Sequence, residues 1–67
     1  MNLDVKIKVL IADDSMMAIQ MIKRILNTDP QIEVVGIAHD GFEAKSMHRK
    51  LQPDLILMDI HMPGLDG

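Results

Sequence analysis

Three aspartates stand where apolar runs end. Asp13 and Asp14 follow Val9-Leu10-Ile11-Ala12, and Asp59 follows Leu55-Ile56-Leu57-Met58. A carboxylate can bind a hard cation, accept hydrogen bonds or attack an electrophile. Carboxylates brought to one rim repel one another, and a divalent cation relieves that repulsion. Mg²⁺ suits such a set, because it takes one or two carboxylates and completes its shell with waters and phosphate oxygens. A carboxylate beside that ion can act as a nucleophile toward phosphorus, giving an acyl phosphate. Taken singly, Asp13 and Asp14 also fit a helix cap with a solvated charge, and Asp59 fits a turn.

The elements that would position them follow from hydrophobic periodicity. Lys6–Ala12 turns into a continuous apolar run, the pattern of a strand covered on both faces. Asp13-Asp14-Ser15 supplies helix-starting residues, and Met16–Leu26 is then helical, with Ile19, Ile22, Ile25 and Leu26 predicted on one face. Asn27-Thr28-Asp29-Pro30 stops that helix. Ile32–Ala38 is a second strand, Asp40 with Glu43 forms a capping-box variant, and the second helix runs to about Leu51. Leu55–Met58 is the third strand, followed by a loop rich in Pro and Gly. Strands alternating with helices imply a parallel sheet. In the spatial order 2-1-3 the helices cover opposite faces, and the three aspartates meet at the switch point outside the strand carboxyl ends.

Two stretches together carry a family resemblance. Val9–Ser15 and Pro53–Gly67, the latter containing D-x-x-M-P-x-x-D-G from Asp59, resemble the receiver domain of bacterial two-component response regulators. The likeness spans nearly all of residues 6–67 and is similar to the receivers of chemotaxis methylesterases and DNA-binding regulators. It implies a flavodoxin-like α/β fold with sheet order 2-1-3. It implies Asp59 as phosphoacceptor and Asp13 with Asp14 as the acidic pocket. Asp14 and Asp59 would be direct Mg²⁺ ligands, joined by the backbone carbonyl of His61. A sensor histidine kinase would be the phosphoryl donor in the full-length context. A complete receiver has five βα repeats, so residues 1–67 are expected to form one truncated receiver domain. The Ser or Thr and the Lys that complete phosphoryl recognition in the family would lie in the repeats that are missing.

Composition bounds the rest. The chain has 67 residues, is 48% hydrophobic, and has Phe42 as its one aromatic side chain. Cysteine is absent, which excludes disulfides and thiolate metal sites. The net charge of −3 without a basic block argues against nucleic-acid binding by this segment. No apolar run reaches membrane-spanning length and no signal-peptide pattern opens the chain, so a cytoplasmic protein is expected. No G-x-S-x-G elbow or Ser-His-Asp set is present, and the chain is read as a signalling module rather than an enzyme. His39, His48 and His61 lack metal-ligand spacing and are read as surface or loop histidines. Met21 is expected in the helix core, while Met16 and Met17 fit either core or a docking surface. With two repeats missing, the third strand becomes a sheet edge, and edges recruit other chains. A homo-oligomer that completes the fold through this strand is expected, by antiparallel pairing across a two-fold axis or by exchange of elements. The alternative function is such a self-associating half-domain without efficient phosphorylation.

Overall fold

The computed structural model describes residues 6–59. Its elements are β1 (Ile7–Ala12), α1 (Met16–Leu26), β2 (Ile32–Ala38), α2 (Gly41–Leu51) and β3 (Leu55–Met58). The three strands form one parallel sheet in the order β2-β1-β3. The predicted element order, boundaries and sheet order all match to within a residue.

β1 is central, and its last four residues, Val9 to Ala12, are fully buried. A strand covered on both faces has no polar side to show, which explains the unbroken apolar run. Alternation divides those residues between two cores. Val9 and Ile11 pack with Ile19 of α1, joined by Ile22, Leu26, Ile32, Val34, Ile37 and Leu57. Ala12 packs with Ala38 and with Ala44 of α2, joined by Met47 and Ile56. The helices therefore cover opposite faces, as the 2-1-3 order requires.

The two faces differ in bulk. Branched side chains separate α1 from the sheet, whereas α2 rests on alanines and on Gly36. A Cβ built at Gly36 would stand 2.8 Å from Leu51 Cδ1 and 3.2 Å from Leu10 Cδ1. That glycine is what lets the last turn of α2 approach β2. The pairing of β1 with β2 slips between Val9 and Leu10, which leaves Val35 as an extra residue on the outer strand.

Two expectations for α1 fail. Ile25 is 62% exposed and Met21 is 60% exposed, so neither belongs to the core. At about 100° per residue the sheet-facing arc is set by Ile19, Ile22 and Leu26, and it leaves Met21 and Ile25 on the flank. With Met17 they make an apolar stripe facing away from the sheet among the described residues.

Candidate phosphoryl and metal site

Backbone ladders place the acidic residues. β1 and β3 run in register with Ala12 opposite Met58. The next rung sets Asp13 beside Asp59, and hydrogen bonds hold it: Asp59 N–H donates to Ala12 O at 3.0 Å, and Asp13 N–H donates to Ala38 O at 3.0 Å. Asp13 thus lies one step past β1 and is tied to β2, while Asp59 lies one step past β3 and is tied to β1. Period-two alternation continues Val9 and Ile11 into Asp13, and Leu57 into Asp59. Both carboxylates consequently fall on the α1 side of the sheet. They line a recess of about 360 Å³ with Ile22, Leu57 and Met58.

Asp14 joins them from the β1–α1 turn. One carboxylate oxygen from each of Asp13, Asp14 and Asp59 lies within 4.8 Å of the others. Asp13 and Asp59 are half-buried and Asp14 is exposed. Such a cluster has few walls, and exposed acidic groups often meet without an ion. The donor set is nevertheless suited to a hard cation. Mg²⁺ holds oxygens at about 2.1 Å, so ligands on opposite sides of the ion sit about 4.2 Å apart. Neighbouring ligands on such an ion stand about 3 Å apart, so carboxylates spread over as much as 4.8 Å would close around it, and the open side leaves room for water and phosphate oxygens.

The helix cap falls elsewhere. Ser15 is the N-cap of α1, with Ala18 N–H donating to Ser15 Oγ at 3.2 Å. Asp13 Oδ1 accepts instead from Ser15 N–H at 2.9 Å, an Asx turn that fixes one of its oxygens. At α2 the acidic residue does cap: Asp40 Oδ1 accepts from Glu43 N–H at 2.7 Å. Glu43 reaches back, as expected of a capping-box variant, but to His39 N–H at 2.9 Å, one residue before the cap. His39 Nδ1 lies 3.0 Å from the same Glu43 oxygen, so this exposed histidine belongs to the cap of α2. His61 lies outside the described residues, so the expected carbonyl ligand has no geometry here.

One positioning residue escaped the sequence reading. Asp54 N–H donates to Lys8 O at 2.8 Å, and Asp54 Oδ2 accepts from Lys8 N–H at 2.8 Å. This two-point clasp starts the β3 ladder and sets its register, and thereby the rung that carries Asp59. Its one sequence signal was an aspartate after Pro53, which also reads as ordinary turn chemistry.

Comparison with known proteins agrees with the geometry. The family model for the response regulator receiver domain matches residues 9–67. This chain belongs to that family. Among curated relatives, the protein-glutamate methylesterase/protein-glutamine glutaminase of Hydrogenovibrio crunogenus is 48% identical over 62 residues, covering 92% of this chain and 16% of the relative. The corresponding protein 1 of Geobacter sulfurreducens is 53% identical over 62 residues, covering 92% of this chain and 17% of its own. The chain therefore spans less than a fifth of these relatives. Among solved structures, the response regulator domain of Thermotoga maritima CheB superposes with a TM-score of 0.85 at 45% identity, over 90% of this chain and 45% of the other. The signal receiver domain of the response regulator NarL from Mycobacterium tuberculosis gives 0.86 at 33% identity, over 90% and 48%. The architecture is thus a partial flavodoxin-like receiver unit, the receiver of two-component signalling. No helix among the described residues is long and apolar enough to cross a membrane.

Proposed function

We propose that this chain is a phosphoacceptor segment in which Asp59 is the nucleophile, Asp13 and Asp14 form the acidic pocket, and a sensor histidine kinase is the donor. The observation that carries the reading is the convergence of three carboxylates on adjacent strand ends, within 4.8 Å of one another. Mg²⁺ is the proposed cofactor, with Asp14, Asp59 and the carbonyl of His61 as ligands. When bound, it offsets negative charge on the transferring group. The chain's own residues supply the nucleophile and its placement. An Asp59 carboxylate oxygen forms the new bond to phosphorus while the bond from phosphorus to the donor breaks, and the electron pair leaves with the donor. Asp13, with Oδ1 accepting from Ser15 N–H, lines the recess beside Asp59. The ladder bond from Asp59 N–H to Ala12 O ties the nucleophile's backbone to the end of β1.

The matched relatives carry a methylesterase and glutaminase name, and this chain covers only the receiver portion of them. We assign no hydrolysis to residues 1–67, which we read as one partial receiver in the cytoplasm. In a longer polypeptide of that kind, the hydrolytic groups would lie outside this segment. As a separate 67-residue chain, it would cover the outer edge of β3, where Leu55 and Met58 are 49% and 40% exposed, with a second copy. A monomer by light scattering at micromolar concentration would remove that part of the reading.

The chemical test is mass spectrometry of the chain after incubation with Mg²⁺ and a small acyl-phosphate donor. One added phosphoryl group is expected, absent in Asp59→Asn. An unmodified chain, or an adduct that persists in Asp59→Asn, overturns the assignment.

A further inference from the structure

We propose that the outward stripe of α1 carrying Met17 and Met21 is a peroxide-sensitive modification site, whose oxidation changes the character of the helix surface without undocking the helix. Met17 is 78% exposed and Met21 60%, among the most accessible large apolar side chains described. Their spacing of four residues puts them on one face, where they share a groove with Gln20, Arg24 and Ile25. Thioether oxidation follows access to the oxidant.

The step balances with a peroxide as co-reactant. The sulfur lone pair attacks one peroxide oxygen, an S–O bond forms and the O–O bond breaks. Sulfur loses two electrons, and the leaving oxygen takes a proton to become water or an alcohol. The product sulfoxide is a strong acceptor in place of an apolar group. Donors stand ready for it, because Gln20 and Arg24 each follow one of the methionines by three residues within the same groove.

The docked face of α1 is unaffected, since Ile19, Ile22 and Leu26 make it and no methionine does. Met47 offers the internal contrast. It packs against the alanine core of α2, with its sulfur 3.5 Å from the Cβ position of Gly36. Met47 is half-buried, and a sulfoxide there would press a polar oxygen against apolar neighbours and cost stability.

The test treats the intact chain with dilute hydrogen peroxide and follows it by peptide mapping, far-UV circular dichroism and retention on a hydrophobic-interaction column. Oxygen should enter the α1 peptide several-fold faster than the Met47 peptide, with helical signal kept and retention shortened. The double variant Met17→Leu, Met21→Leu, which keeps an apolar helix-forming stripe, should lose two of the added oxygens and shift less in retention than the parent chain, with the remaining change assigned by mapping to exposed Met16 and Met58. Equal rates at Met47 and α1, unchanged retention after α1 oxidation, or loss of helical signal at that stage would overturn the proposal.

Discussion

The two βα units of this chain are built from the same grammar and end up with different work. Each strand closes on an alanine, Ala12 or Ala38, and each is followed by an acidic residue before a helix of 11 residues. In the second unit Asp40 caps α2, and Glu43 returns to bind the backbone before it. In the first unit Ser15 caps α1, and its first turn holds no acidic residue. Delegating the cap to a hydroxyl leaves Asp13 and Asp14 able to meet Asp59. A carboxylate before a helix is therefore structural or chemical according to whether another side chain has already satisfied the helix amides.

That contrast can be broken at several points. The largest effect is expected where the bulky core meets α1. Ile19→Ala removes a 1% exposed side chain between α1 and β1, and should cost about 3 kcal/mol by urea denaturation. The acidic turns come next. Asp14→Ala should weaken Mg²⁺ binding at least about tenfold in a titration, while changing stability by less than about 0.5 kcal/mol. Asp40→Ala should do the reverse, costing about 1 kcal/mol of stability through the lost cap and leaving Mg²⁺ affinity in place. If Asp40→Ala weakened the metal as much as Asp14→Ala, the division of labour would be wrong. Gly36→Ala probes the close approach of α2. Leu51 can swing outward but buried Leu10 cannot, so a net loss of about 1 kcal/mol in urea is expected. The smallest effect is a gain. Gln52 caps α2 with φ of 47°, in the left-handed region. Gln52→Gly should add about 0.5 kcal/mol, visible as a raised urea midpoint.

The same contrast explains what was legible in the sequence. Asp40 and Glu43 announced a cap because the two residue types stand three apart with one job available. Asp13 and Asp14 fitted a cap equally well in isolation, and only the downstream motif that begins at Asp59 argued otherwise. The sheet order followed from the family resemblance rather than from the pattern alone, and it sets the ends of β1 and β3 side by side. Which flank of α1 meets the sheet could not, because Met21 and Ile25 are as apolar as Ile22, and the choice depends on how the Ser15 turn aims the helix. The Asp54 clasp was hidden for a related reason: pairing with Lys8 spans 46 positions, and no local pattern reports it.

The burial of β1 has a further consequence, in the time domain. Its amides from Val9 to Ala12 sit between two neighbours and under two helices, so they should exchange with solvent only on global unfolding. β3 contributes four residues and is paired, among the described residues, on one side only. Among the described residues, the candidate site thus joins a strand paired on both sides to one paired on a single side. Any local opening of β3 would break the bond from Asp59 N–H to Ala12 O before β1 is disturbed, and a cation bridging the three carboxylates would act as a latch on that motion.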